Sequence, residues 1–183
     1  MAGEEGAVDD DGSHVVIGGR RWRASDPSIP ESLRSQLVHE LMAARRAVKV
    51  AGEDPTAVAG ARARVQDAKV ALGERGGRWW EPAPDGGVDE ARVAATARTL
   101  LRHRAPEATV CPSEVARAVA SPGGRPALDA VRAVAAERAT RGELVVRQRG
   151  AVVDAATARG PLRYGRGPRF PDPPPPPVPG APG

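Results

Sequence analysis

Apolar residues recur at helical spacing in two neighbouring stretches of the N-terminal half. The first stretch follows SIPE, in which Ser28 can cap a helix, Pro30 suits its first turn and Glu31 completes a capping box. The second follows Asp54 and Pro55, which form another helix-start signal. The two stripes consist of Leu33, Leu37, Leu41, Ala44 and Val48, and of Val58, Ala61, Val65, Ala68 and Leu72. Because only a short turn separates them, the stripes predict an antiparallel helical hairpin.

A β-hairpin is predicted just before these helices, at VVIGGRRWR (15–23). Two short runs that contain β-branched or aromatic residues flank Gly18 and Gly19, and such a glycine pair suits a turn with positive φ at both central positions. An isolated hairpin is marginally stable in water. We therefore expect Val16 and Trp22 to pack against the helices that follow.

The C-terminal half shows three helical stripes followed by two alternating stretches. The stripes consist of Val93, Ala97, Leu100 and Leu101, of Val115, Ala118 and Val119, and of Leu128, Val131, Val134 and Ala135. After Gly142, which is expected to end the third helix in a left-handed cap, the period changes to two along residues 144–149 and again along 162–164. The connection between them, residues 150–159, is longer than most hairpin loops. This order is that of a winged helix-turn-helix, with the long loop as the wing.

The patterns together predict an α+β fold that is mainly helical with a small amount of strand. Residues 14–80 are expected to form a β-hairpin and helical hairpin unit, and residues 88–166 a winged helix-turn-helix domain. Residues 81–87 contain the Pro and Gly of a linker. The acidic start (1–13) and the proline-rich tail (167–183) have little to bury, so both ends are expected to be disordered.

Four blocks of the second unit carry a resemblance to a known family. They are CPSEVAR (111–117), a Val-Arg-x-x-Ala helix segment (131–135), a basic strand (144–150) and ARGPLR (158–163). Over residues 90–166 the chain resembles a bacterial family catalogued as domain of unknown function 3253. That resemblance implies a winged-helix-like fold for this part of the chain.

The N-terminal segment resembles bacterial proteins that automated naming describes as Tol-type biopolymer transporters. A transporter component needs a membrane anchor, and no apolar run approaches the roughly 20 residues that cross a bilayer. The start of the chain also lacks the basic and apolar regions of a signal peptide. The single cysteine, Cys111, excludes an intramolecular disulfide and fits a reducing compartment. We therefore expect a cytoplasmic protein without a membrane partner.

Charge is unevenly distributed in a chain whose net charge is +4. Residues 1–87 hold 12 Lys and Arg against 14 Asp and Glu, whereas residues 88–166 hold 14 against 8, and every cation there is an arginine. The abundance of Arg, Ala and Gly is also typical of a GC-rich genome. The position of the basic excess is therefore a better guide to function than the preference for arginine over lysine. It favours an anionic partner for the second unit.

No pattern of residues indicates catalysis, a cofactor or a metal. Cys111 lies at a predicted helix start, where a thiol can become reactive, but no base and orienting acid stand at supporting spacing. A small buried residue at a helix start is the alternative interpretation, and we favour it. His14, His39 and His103 lie far apart and form no ligand pattern. We expect a non-enzymatic protein with no cofactor, no metal and no small-molecule substrate.

Arginines of the predicted wing are the candidate nucleic-acid site. Alternation places Arg147, Arg149 and Arg163 on one outer face of the two-stranded ribbon, where guanidinium groups can hold phosphates. The complete set of predicted nucleic-acid-binding residues is Arg147, Arg149, Arg163, Arg159, Arg132 and Arg117. Asp129 and Glu137 stand on the outward side of the third helix and oppose its insertion into a groove. Binding to the backbone of double-stranded DNA is therefore expected, rather than reading of bases.

A protein-interaction adaptor is the competing hypothesis, because a fold does not fix a function. The helical hairpin, Trp79 with Trp80, the winged helix and the polyproline run 173–177 would then be contact surfaces for another protein. For the tryptophan pair we favour closure of the open side of the helical hairpin over an exposed docking role.

Overall fold

The computed structural model describes residues 7–9, 12–81, 87–120 and 127–171. The first half contains β1 (Ala7–Val8), β2 (His14–Ile17), β3 (Arg20–Arg23), α1 (Glu31–Val50) and α2 (Pro55–Ala71). The second contains α3 (Glu90–His103), α4 (Pro112–Val119), α5 (Leu128–Thr140), β4 (Leu144–Gln148), β5 (Ala151–Val152) and β6 (Arg163–Arg166). Five helices and two small antiparallel sheets confirm the predicted α+β class.

Some predictions lie outside the described residues. They concern the linker at 82–86, the tail at 172–183 and the start at 1–6 and 10–11. Parts of the two ends that were expected to be disordered do form structure. Strand β1 pairs with β2, and the backbone N–H of Gly167 donates to the carbonyl of Glu143 at 2.9 Å. Backbone pairing holds these short segments, and Phe170 also packs, partly buried, against the hydrophobic core.

The predicted β-hairpin is confirmed, but one of its expected contacts is wrong. Gly18 and Gly19 form the turn with φ of 56° and 72°. The register places Val15 opposite Trp22 and Val16 opposite Arg21. Residues opposite each other share a face of a sheet, so Val16 and Trp22 lie on different faces and do not pack together on the helices. Trp22 remains 43% exposed.

Helices α1 and α2 form the predicted antiparallel pair. The α1 stripe is buried at Leu33, Leu37, Leu41 and Ala44. The carboxylate of Asp54 caps α2 by accepting the backbone N–H groups of Thr56 and Ala57, at 2.8 and 3.1 Å.

The predicted cap of α1 is wrong. The helix begins after Pro30 without a side-chain cap, because both the hydroxyl and the N–H of Ser28 donate to Oδ1 of Asp26. Of the tryptophan pair, Trp79 is buried rather than an exposed docking surface, whereas Trp80 is half-buried and lies edge-on to it, with ring centroids 5.1 Å apart. Trp79 is 9% exposed, and its indole N–H donates to the carbonyl of Ala24 at 3.1 Å.

Helix α3 lies at the centre of the molecule and joins both halves. It packs against α1 and α2 on one side and against α4, α5 and β6 on the other. All residues from Arg92 to Ala97, and from Thr99 to Leu101, are buried. The predicted stripe is therefore only part of its buried surface. One continuous hydrophobic core contains Leu37 and Leu72 together with Leu100 and Val131.

Ion pairs also cross between the two halves. The guanidinium of Arg92 lies 2.7 Å from the fully buried carboxylate of Asp26. Arg98 and Arg102 each approach Asp67 at 2.6 Å. Burial raises the pKa of Asp67, but the hydrogen bonds and charges of these two arginines outweigh it and hold that pKa below its usual value.

Strands β4, β5 and β6 form a sheet in the order β5-β4-β6, and both pairs are antiparallel. Gly142 ends α5 with φ of 75°, as predicted for a left-handed cap. Strand β5 lies inside the stretch that was expected to be only a loop, because β4 turns back directly and pairs Gln148 with Ala151. An isolated bridge between Val110 and Tyr164 ties β6 to the segment before α4.

Candidate nucleic-acid interface

Arg147 and Arg163 are direct cross-strand neighbours on the outer face of the sheet. The β4–β6 register pairs them, and the alternating Leu144 and Val146 face the core with 4% and 2% exposure. This confirms the prediction that the two arginines share one face. Cross-strand neighbours have Cβ atoms about 5 Å apart, so two cationic side chains leave the sheet together.

Arg149 does not lie on a strand, as the alternation had suggested. It has φ of 52° and forms, with Gly150 at φ of 87°, the two-residue turn between β4 and β5. Positive φ at both central positions defines the hairpin turn that follows the strand twist. The exposed side chain of Arg149 therefore stands at the tip of the β4–β5 hairpin. The Arg-Gly dipeptide was the signal that could have located this turn.

The outer face owes part of its shape to Gly165, which stands opposite Val145. A Cβ atom at Gly165 would lie 3.3 Å from a methyl of Val145 and 3.7 Å from Nε of Arg147. The side chain of Arg147 thus lies over the space beside Gly165 that a larger residue would fill. Its Nη1 also donates to the carbonyl of Gly150 at 3.2 Å, which limits the range of positions of this guanidinium.

The segment between β5 and β6 is fastened to the rest of the domain by side chains. The amide of Gln148 donates to the carbonyl of Arg159, and Nη2 of Arg132 on α5 donates to the carbonyl of Gly160 at 3.0 Å. These bonds bring the backbone of the Arg159 loop beside α5 and β4. Arg117 is exposed on α4, where its Nε donates to the carbonyl of Ser113. Nothing in the contacts of Arg117 joins it to the sheet.

Most of the arginines that the structure describes within residues 88–166 fall into two groups, and a further one, Arg166, donates to the carbonyls of Leu101 and Arg104. One group pairs with carboxylates and consists of Arg92, Arg98, Arg102, Arg104, Arg138 and Arg141. The other forms no ion pair within the part of the chain that the structure describes, and it consists of Arg117, Arg132, Arg147, Arg149, Arg159 and Arg163. The second group is the set that the sequence predicted. Part of the basic excess thus neutralises carboxylates of the molecule itself, and the rest is available for a ligand.

Helix α5 presents a different surface beside the sheet. Asp129 and Glu137 are exposed, and Glu137 pairs with Arg141 at 2.5 Å. Between α5 and the β4–β5 hairpin lies a groove of about 410 Å³, whose lining includes Ala136, Val145 and Val152. Val152 is 63% exposed. This side of the domain is therefore apolar and acidic rather than basic.

Glu114 links the start of α4 to the basic face. It accepts the backbone N–H of Cys111 at 2.7 Å and a guanidinium N–H of Arg104, also at 2.7 Å. Burial raises the pKa of Glu114, but these bonds and the charges of Arg104 and Arg163 together hold it below its usual value. Ser113 Oγ lies 3.0 Å from Cys111 Sγ. Among the described residues, no group of three or more His, Cys, Asp and Glu side chains is placed to hold a metal.

Tyr164 lies beneath the basic face and is 1% exposed. Burial raises its pKa to about 12, although the charge of Arg132 acts in the opposite direction. Its hydroxyl has no hydrogen-bond partner within the described part of the chain. The alternation that placed Arg163 outward also placed Tyr164 on the inner side of the strand, but it gave no sign that the buried hydroxyl would lack a partner among the described residues.

These observations define an α+β protein that carries a group of outward-facing arginines. Residues 90–167 match the model of the family described as Protein of unknown function (DUF3253), which is the family that the motifs of this segment indicated. No curated protein matches the chain. The resemblance of the N-terminal segment to Tol-type transporters has no support here. Among the described residues, none of the helices has the length and apolar character that a bilayer span requires.

Proposed function

We propose that this protein is a non-enzymatic, cytoplasmic DNA-binding protein. Its C-terminal unit would act as a winged helix whose basic wing holds the backbone of double-stranded DNA. The observation that carries the proposal is the cross-strand pairing of Arg147 with Arg163 on the outer face. Arg149 at the hairpin tip and Arg159 in the following loop extend the same positive region.

Like charges directly opposite each other weaken a strand pair, by roughly 0.2–1 kcal/mol on the scale of cross-strand contacts. Neither Arg147 nor Arg163 has a carboxylate within ion-pair distance among the described residues, although the charge of Arg163 acts on Glu114 from farther away. A phosphate placed between the two guanidinium groups would relieve their repulsion and accept N–H groups from both. The paired arginines therefore destabilise the sheet slightly, but they are well placed to bind the regularly spaced phosphates of a DNA backbone.

The same geometry argues for backbone contact without base readout. A helix that reads bases enters the major groove, where its outward side chains meet base edges between two rows of phosphates. The exposed carboxylates of Asp129 and Glu137 on α5 would be repelled there. We therefore expect weak discrimination between sequences and a strong dependence on salt.

Binding of the full-length chain to generic duplex DNA, measured by fluorescence anisotropy at low salt, tests the proposal. The whole chain is needed because α3 packs on both halves. Replacing Arg147 and Arg163 by Ala should weaken binding at least about tenfold. Arg46→Ala, an exposed arginine on α1, is the matched control and should have no comparable effect. DNA binding that is equal in all three proteins would contradict the proposal.

A protein-interaction adaptor is the second candidate, and one observation favours it. The groove between α5 and the β4–β5 hairpin is lined mainly by Ala and Val, and Val152 at its edge is 63% exposed. Exposed apolar surface of this kind often marks a protein contact. The two candidates separate in the same assay. No binding to DNA even at low salt, together with loss of a partner complex in Val152→Asp, would favour the adaptor.

A further inference from the structure

A second exposed surface lies on the N-terminal half, where the β2–β3 hairpin faces α1 and the end of α2. It is a groove of about 760 Å³. Its lining includes Val15, Ile17 and Trp22 from the hairpin, Arg34 and Arg45 from α1, and Lys69 from α2. Ile17 is 51% exposed and Trp22 is 43% exposed. No strand of the basic wing contributes to this groove, so its role is separate from the DNA-binding proposal.

The groove combines apolar side chains with cations. The guanidinium of Arg20 lies 4.9 Å from the ring centroid of Trp22, and the ammonium of Lys69 lies 6.0 Å from it. Within the described residues Arg34 forms no ion pair, and Nη1 of Arg45 donates to the sulfur of Met42 at 4.0 Å.

Among the described residues one carboxylate lines the groove, and it already has partners. Glu74 is 3.2 Å from Lys69 and accepts the hydroxyl of Ser25 at 3.0 Å. The arginines on α1 are therefore not neutralised by this carboxylate. The groove favours a ligand that carries both apolar side chains and negative charge.

The backbone of β3 supplies a third feature. The sheet order is β1-β2-β3, so among the described strands β3 has a neighbour on one side only. The N–H of Ala24 donates to the carbonyl of Ser13 at 2.9 Å, which directs residue 24 toward β2. In an antiparallel ladder successive residues point to opposite sides, so the N–H and C=O groups of Arg21 and Arg23 point away from β2. These groups can pair with an added strand.

We propose that this groove binds an extended acidic segment of a partner protein, which adds as a strand to the free edge of β3. Apolar side chains of that segment would contact Ile17 and Trp22, and its carboxylates would pair with Arg34 and Arg45. These two arginines are eleven positions apart along the helix, a distance of about 16 Å. Roughly five residues of an extended strand span that distance. A segment in which Glu alternates with apolar residues matches both the charge and the spacing.

A labelled synthetic peptide in which Glu alternates with Val is the probe, and its binding to the full chain is followed by fluorescence anisotropy. The double variant Arg34→Glu, Arg45→Glu should bind the peptide at least about tenfold more weakly. Arg46→Glu is the matched control, since this exposed arginine neighbours Arg45 but does not line the groove. It should change the affinity by less than about twofold.

Two altered peptides test the mode of binding without changing the protein. A Gln-for-Glu peptide should lose affinity because the arginines need a negative partner. An N-methylated peptide should also lose affinity because it cannot donate to the edge of β3. Absence of binding by the parent peptide, equal binding by the altered peptides, or equal effects of the variants at 45 and 46 would overturn the proposal. Binding of a single-stranded oligonucleotide that depends on Arg34 and Arg45, without binding of the peptide, would replace it by a nucleic-acid site.

Discussion

The ion pair between Arg92 and Asp26 gives the sharpest test of how the two halves are held together. Asp26 is fully buried and Arg92 is 5% exposed, and their charged atoms are 2.7 Å apart. Asp26 also accepts the hydroxyl and the N–H of Ser28. Arg92 further donates to the carbonyls of Ala71 and Ala118, at 3.4 and 3.2 Å. The pair thus connects the segment before α1 with α2, α3 and α4.

Asp26→Ala removes the carboxylate and leaves a buried guanidinium with only carbonyl partners. Breaking a buried pair in this way costs about 3–5 kcal/mol, a large share of a total stability of about 5–15 kcal/mol. For a chain of this length the midpoint of thermal unfolding should fall by about 6–20 °C. The double variant Asp26→Ala, Arg92→Met removes both charges and should be less destabilised than Asp26→Ala alone.

Urea unfolding followed by circular dichroism measures these differences in free energy. The single variants Asp26→Ala and Arg92→Met form a thermodynamic cycle with the double variant. Glu137→Ala is the control, because it breaks the exposed pair with Arg141 and should cost less than about 1 kcal/mol. If Asp26→Ala does not fold, Asp26→Asn provides a milder change at the same atom. A cost for Asp26→Ala that is no larger than that of Glu137→Ala would refute the reasoning.

Three further predictions follow from the charges. Because the pKa of Asp67 is lowered in the folded chain, its carboxylate stabilises the fold fully above about pH 4, and this stabilisation is lost as pH falls through the lowered pKa. Asp67→Asn should therefore flatten the acid side of the curve of unfolding free energy against pH, measured by urea unfolding. An unchanged acid side would contradict this prediction. Tyr164 is the single tyrosine, and its absorbance should titrate at about 12 in the folded chain and near 10 in denaturant. The stabilisation that the neutral phenol contributes is complete below about pH 10 and is lost as pH rises through the pKa of the folded chain. Asp129→Asn with Glu137→Gln should strengthen binding to duplex DNA at low salt, because it removes two negative charges that repel the phosphates. Unchanged binding would show that α5 does not lie near the duplex.

Local patterns were sufficient for most of the secondary structure. The glycine pair at 18 and 19 located the first hairpin because few other residues accept positive φ at both positions. The α1 stripe identified its buried face, and Gly142 identified the end of α5. The same alternation along 144–147 placed Arg147 and Arg163 on one face, because the side-chain period of a strand is fixed by its backbone.

Features that depend on distant residues were not visible in these patterns. The four-residue stripe of α3 described one contact face, whereas the helix is enclosed by elements from both halves. Ser28 had the spacing of a helix cap, but the buried carboxylate of Asp26 competes for the same hydroxyl. The bond from Arg132 to the carbonyl of Gly160 joins a helix to a loop 28 residues away, and no local rule predicts it. Arg149 was misplaced because alternation was extended one residue past the end of β4.

The most direct test of the DNA-binding proposal is the salt dependence of duplex binding by the full chain. Each phosphate contact contributes about −0.9 to the slope of log K against log salt concentration. The proposal predicts a steep negative slope for the natural chain and a slope that is shallower by about 2 when Arg147 and Arg163 are replaced by Ala. An identical slope in the two proteins would contradict the assignment of these arginines to phosphate binding.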